Sequence, residues 1–153
     1  MALIGSTIKP FTAQAYKEGK FVQVTDADTK GKWAVFFFYP ADFTFVCATE
    51  FAALADQYPA LQKLGCEVLT VSTDTKFTHL AWQKHEGELA KVTYPMAADP
   101  AGKMSYAFGV LIEGGESHLT ADEGLAMRGT FIIDPAGTLR AMEINDNSMG
   151  RKG

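Results

Sequence analysis

Apolar residues along this chain recur in two rhythms, one of period two and one near 3.6, and their order predicts a fold class. The stretch FVQVT (21–25) alternates like a short exposed strand. WAVFFFY (33–39) is apolar without a break, the pattern of a strand covered on both faces. After Pro40 comes a loop, then TEFAALADQYPALQKLG (49–65), where Phe51, Leu54, Ala55, Tyr58, Leu61 and Leu64 stand at helical spacing. Pro59 is expected to kink or divide that helix and Gly65 to stop it.

CEVLTVS (66–72) reads as a second buried strand. TKFTHLAWQKHEGELAKV (75–92) reads as an amphipathic helix with Phe77, Leu80, Ala81 and Trp82 on one side. DPAGKMSYAFGV (99–110) opens with a turn and carries a short helix. RGTFIID (128–134) is a third apolar strand, PAG a tight turn and TLRAMEI its antiparallel partner. IEGGESHLTADEGL (112–125), polar, acidic and glycine-bearing, reads as a surface loop in which His118 is solvated. Strand–helix–strand–helix with a closing hairpin predicts α/β, a central mixed β-sheet with helices on both faces.

Length and charge narrow the function classes. At 153 residues the chain is expected to form a single domain, 1–153. Its net charge of −4 argues against a nucleic-acid footprint and a polybasic membrane patch. The longest apolar run, seven residues from Trp33 to Tyr39, is far below the ~18 that span a bilayer. MALIGSTIKPF lacks a basic segment followed by a long apolar one, so no export signal and a cytoplasmic location are expected. Two cysteines, nineteen positions apart, are too few for a disulfide scaffold, and no C-x-x-C pair occurs. His79, His85 and His118 form no metal-ligand spacing with either cysteine, so no metal is expected.

Cys47 sits where a strand ends, a proline turns the chain and a helix begins. A nucleophilic role demands the thiolate, and bringing a thiol from pKa ~8.5 to ~6 takes about 3.4 kcal/mol of preferential stabilisation. A helix N-terminus supplies at most ~2 kcal/mol, and aromatic surroundings push the other way. A cation is required. Arginine suits the task best, being always charged and forked. Of Arg128, Arg140 and Arg151, Arg140 lies mid-strand on a solvent face, whereas Arg128 stands at the mouth of RGTFIID. If that strand neighbours WAVFFFY, Arg128 faces the Cys47 loop; its other reading is a solvated strand-end charge. Thr44, three residues before Cys47, shares a face with it in a helical turn. Its hydroxyl can serve the sulfur or an incoming oxygen, or simply cap the helix. Pro40 closes the strand and can shield sulfur from water, although structure alone accounts for it.

YPADFTFVCATE (39–50) resembles the Pro-x-x-x-Thr-x-x-Cys motif of the peroxiredoxins, met by Pro40, Thr44 and Cys47. KWAVFFFYPADFTFVC, VSTDTKFTHLAWQ and EGLAMRGTFIIDPAG are similar to the typical two-cysteine group, in the branch that forms the peroxidase component of alkyl hydroperoxide reductase. The match runs from about Ile8 to Arg151. The resemblance implies a thioredoxin-like fold and a thiol peroxidase that reduces hydrogen peroxide and organic hydroperoxides. It implies Cys47 as the peroxidatic cysteine, Arg128 as active-site arginine, Thr44 as the peroxide-binding hydroxyl and Pro40 as the shield. It further implies Glu50 orienting the arginine network, Trp82 lining the site and Arg151 as a second arginine beside Glu50. Phe77-Thr78-His79 is similar to the family's dimer–dimer contact, implying a homodimer and a ring of five dimers. No flavin, haem or other cofactor is implied; electrons would come from a separate disulfide reductase or thioredoxin.

Three departures from the family pattern stand out. Ala48 occupies a position where relatives commonly carry proline, so a looser helix start is expected. The segment in which relatives carry the resolving cysteine is expected to be lacking, and Cys66, heading a buried strand, is expected to be structural. The loop near 112–125 is a few residues longer than in relatives. The rival from another class is an oligomeric holdase chaperone or peroxide sensor using the same cysteine.

Overall fold

The computed structural model describes residues 4–42, 45–112 and 125–145, excepting the side chains of 45–48 and of Glu88. Thr44, Arg151, the Cys47 side chain and residues 113–124 of the expected loop therefore lie outside the described residues.

Seven strands form one sheet in the order β2-β1-β5-β4-β3-β6-β7. They are β1 (Thr12–Lys17), β2 (Lys20–Thr25), β3 (Trp33–Phe38), β4 (Cys66–Ser72), β5 (Met96–Ala98), β6 (Arg128–Ile133) and β7 (Leu139–Asn145). The helices are α1 (Phe45–Lys63), α2 (Lys76–His85) and α3 (Lys103–Ala107). β3 runs parallel to β4 and antiparallel to β6, so the sheet is mixed, as the pattern predicts.

Period-two alternation sends successive side chains into two cores. On one face Phe36, Phe38, Leu69, Val71 and Phe131 pack with Met104 and Phe108 from α3 and the turn after it. On the other, Tyr16, Val68 and Met96 meet Phe51, Ala55 and Tyr58 of α1 and Trp82 of α2. Helices thus cover both faces.

Several boundaries differ from expectation. α1 starts at Phe45, four residues before the periodic stretch, which puts position 47 inside its first turn. α1 also runs on through Pro59 undivided. On α2 the buried residues are His79 and Trp82, while Phe77 is 64% exposed. Trp82 thus anchors the helix on the side away from Phe77, a correction to the expected apolar face. The signal misleads because a large aromatic at helical spacing need not be core. β1 and β5 have no counterpart in the expected elements. β1 is built on small buried residues, Ala13 and Ala15, and β5 is three residues long.

The closing hairpin is held at its turn by Asp134. Its Oδ1 accepts from the backbone N–H of Thr138 (2.9 Å) and of Ala136 (3.0 Å), and its Oδ2 from Arg140 Nε at 2.8 Å. Arg140 is exposed, as expected.

Candidate active site

Strand order brings the candidate residues together. β3 ends at Phe38, paired with Gly129, so Arg128 begins β6 beside the point where the chain leaves the sheet through Tyr39 and Pro40. Gly129 leaves room for tight packing on the α3 face: a Cβ there would meet Phe131 Cε1 at 2.9 Å and Val110 Cγ1 at 3.1 Å. With Gly129 and Phe131 turned to the α3 face, alternation turns Arg128 to the α1 face.

There Arg128, 4% exposed, donates from Nη1 to Glu50 Oε1 at 2.8 Å. The two side chains are 5% and 19% exposed, so the pair is largely out of water. A buried guanidinium needs such a counter-charge. Glu50 is three residues beyond position 47 on α1, one turn along the same face and about 4.5 Å further along the axis. A cation is therefore fixed on the side of the helix where position 47 stands. The reading of Arg128 as a solvated strand-end charge is overturned by its burial and its ion pair.

Pro40 is buried in a bend directly after Tyr39. Trp82 is 1% exposed, with ring centroids 5.3 Å from Phe51 and 6.0 Å from Tyr39. It backs the first turns of α1. A recess of about 30 Å³, bordered by Phe37, Glu50, Phe51 and Leu54, lies beside the ion pair; it is roomy enough for a water-sized molecule.

A second polar cluster escaped the sequence reading. Tyr39 Oη donates to Asp42 Oδ1 at 2.6 Å, and Asp42 Oδ2 lies 2.6 Å from His79 Nδ1. His79 Nε2 lies 2.9 Å from the carbonyl oxygen of Ala97, which can only accept, so Nε2 carries a proton. The short Asp42–His79 contact then shares one further proton. Burial pushes Asp42 up against the opposing pull of His79, and also opposes charging of His79; the hydrogen bond and charge of Asp42 outweigh that and leave His79 raised. Burial and the Asp42 charge hold the Tyr39 phenol well above its usual range. Asp42 N–H donates to Asp74 Oδ2 at 2.8 Å, and Ser72 Oγ donates to the same oxygen at 2.7 Å. The cluster therefore ties the residues just after Pro40 to β4 and to α2. Its one sequence signal was helical: His79 lies three residues before Trp82 on one face.

Asp42, Asp74 and His79 each bring a ligand-type atom within 4.8 Å of the others. Those atoms already serve the hydrogen bonds above, so the cluster reads as a positioning network. Cys66 is buried at the head of β4, and burial, helped by the Glu67 carboxylate, raises its thiol. That is the opposite of what a nucleophile needs, and matches the structural role expected.

Comparison with known proteins covers nearly the whole chain. Alkyl hydroperoxide reductase C of Salmonella typhimurium is 50% identical over 151 residues, covering 99% of this chain and 76% of that one. Its Bacillus subtilis counterpart matches at the same identity and coverage. The crystal structure of Enterococcus faecalis AhpC superposes with a TM-score of 0.89 at 43% identity, covering 99% of this chain and 86% of that one. The fold is the thioredoxin-like fold of the peroxiredoxins. With the AhpC/TSA family profile matching residues 4–142, the chain belongs to the AhpC/TSA family.

Proposed function

We propose that this chain is a thiol peroxidase of the alkyl hydroperoxide reductase type, in which Cys47 attacks the peroxide. The observation that carries the reading is the buried Arg128–Glu50 pair, which joins the start of β6 to the face of α1 that bears position 47. The Cys47 thiolate displaces on the terminal peroxide oxygen: an S–O bond forms, the O–O bond breaks, and both its electrons leave with an alkoxide or hydroxide. That leaving oxygen takes a proton from solvent, and sulfur becomes a sulfenic acid. Arg128 stabilises the thiolate and the charge growing on the leaving oxygen. Glu50 orients Arg128, Thr44 holds the peroxide oxygen and Pro40 shields the sulfur. Trp82 supports the helix start, and Arg151 adds a second cation near Glu50.

Substrates are hydrogen peroxide and organic hydroperoxides. Two thiols of a separate disulfide reductase or thioredoxin return the sulfenic acid to thiol: the first displaces water to form a mixed disulfide, and the second releases Cys47 as thiol and leaves the donor as a disulfide. A reducing, cytoplasmic compartment suits two cysteines outside a disulfide framework. Among the described residues no helix is long and apolar enough to cross a membrane. Assembly as dimers, five to a ring, is supported by an exposed aromatic pair: Phe77 and Phe21 meet edge-on with centroids 5.3 Å apart. His79, by contrast, is wholly buried within its own chain and is not available to a neighbour. The 1–153 unit acts as one domain.

The test is stopped-flow mixing of reduced protein with one equivalent of hydrogen peroxide. Wild-type and Cys66→Ser proteins are expected to react at rates within about twofold of each other, because Cys66 is buried and its thiol raised. Cys47→Ser is expected to abolish the fast phase. A wild-type rate no faster than free cysteine, or one unchanged by Cys47→Ser, sinks the reading.

A further inference from the structure

A cavity among the described residues lies away from the Arg128–Glu50 pair. It measures about 660 Å³, within the range of small-molecule sites, and opens between β1, the N-terminus of α2 and α3. Neither Arg128, Glu50 nor Pro40 borders it. Its floor is carbon: Phe11, Ala13, Met104 and Phe108 belong to or pack against the core of the α3 face. Its border carries three lysines, Lys9, Lys76 and Lys103.

That concentration of positive charge runs against the chain's net −4. Among the described residues, no ion pair engages any of the three lysines. Lys76 Nζ rests 3.3 Å from the Gln14 side-chain oxygen, and 4.9 Å and 5.4 Å from the ring centroids of Phe21 and Phe77. Those contacts hold the ammonium near the opening without neutralising it. One carboxylate borders the cavity, Asp99, and it is turned to α3. It accepts from the backbone N–H of Met104 and of Ser105 and from Ser105 Oγ, at 2.8–3.1 Å. An apolar floor with a cationic border recognises a molecule with an apolar tail and an anionic head.

We propose that this cavity binds a free long-chain carboxylate, its alkyl tail on the Phe11–Phe108 floor and its carboxylate among Lys9, Lys76 and Lys103. The site is separate from the Arg128–Glu50 pair and its occupancy does not depend on Cys47; Phe77, on its border, is also the residue proposed at the ring contact, so the cavity is taken to fill in the dissociated form.

Titration calorimetry with dodecanoate below its micelle concentration tests this on the full chain. It is run with Cys47→Ser as well as wild type, over a protein range that takes any ring to its dissociated form. One dodecanoate per chain is expected, bound tenfold or more tighter than octanoate and fivefold or more tighter than dodecyltrimethylammonium. Lys9→Glu/Lys103→Glu, at two exposed positions, is expected to weaken dodecanoate at least fivefold. Ala101→Trp, at an exposed position on the border, is expected to block it while leaving thermal unfolding within a few degrees of wild type. Absence of saturable binding overturns the proposal. So does binding that ignores both variants, or a cationic amphiphile binding as well as the carboxylate.

Discussion

Replacing Arg128 by glutamine, alone and together with Glu50→Gln, separates two tasks that one guanidinium performs. Nη1 of Arg128 lies 2.8 Å from Glu50 Oε1, with side chains 5% and 19% exposed. Removing Arg128 takes a charged partner from a mostly buried carboxylate, a loss of about 3–5 kcal/mol where burial is complete and no other cation stands in. Glu50 keeps some contact with water and sits near the positive end of α1, which lowers the expected loss to about 2–3 kcal/mol. Glu50→Gln removes the stranded charge, and most of that loss returns.

The sulfur has no such remedy. Lowering a thiol from ~8.5 to ~6 takes about 3.4 kcal/mol, of which a helix end supplies at most ~2, so a cation is required. Without Arg128 the Cys47 thiol is expected to rise, and the leaving oxygen loses a donor worth about 10²–10³ in rate. Urea unfolding reads the first task; stopped-flow peroxide reduction and the pH dependence of thiol alkylation read the second. The single variant is expected to fall in both. The double variant is expected to unfold within about 1 kcal/mol of wild type yet react at least about 100-fold more slowly. Recovery of the peroxide rate in the double variant would refute the reasoning, because Arg128 would then only neutralise Glu50.

Gly129→Ala is expected to destabilise by about 1–3 kcal/mol in urea unfolding, since its Cβ would meet Phe131 and Val110 at 2.9 and 3.1 Å; an unchanged midpoint contradicts the packing argument. His79 is raised in the fold, so its contribution to stability is complete below its unfolded value near 6.5 and is lost as pH rises through the folded value; Asp42, also raised, acts in the same direction. Wild type is therefore expected to lose urea resistance as pH rises above about 6.5, and His79→Gln, still facing Asp42, Tyr39 and Asp74, to lose that slope; equal slopes refute it. Phe77→Asp, at a position 64% exposed, is expected to leave peroxide reactivity within about threefold while sedimentation shifts from rings toward dimers; an unshifted profile removes Phe77 from the contact.

What the sequence disclosed and what it withheld divide by distance along the chain. Pro40, Cys47 and Glu50 lie within eleven residues of one another, and so the turn into α1 was visible as local pattern. β3 announced itself through an unbroken apolar run, β4 and β6 through mostly apolar stretches, and β7 as the partner of β6 across a PAG turn. β1 and β5 did not, because alanine marks a strand weakly and three residues carry no period. Phe77 misled for a related reason: the periodicity of α2 is sound, but hydrophobicity alone cannot say which large side chain faces inward. The Asp42–His79 pair spans thirty-seven residues and depends on α2 packing over the β1–β5 side of the sheet. Arg128 and Glu50 lie seventy-eight residues apart, and no local pattern joins them: the charge argument tied Arg128 to position 47, and Glu50 came from the family resemblance alone. Electrostatic necessity asked for a cation, position at the mouth of RGTFIID selected Arg128 over the other arginines, and the antiparallel register of β3 with β6 sets Arg128 beside the point where the chain leaves the sheet toward α1.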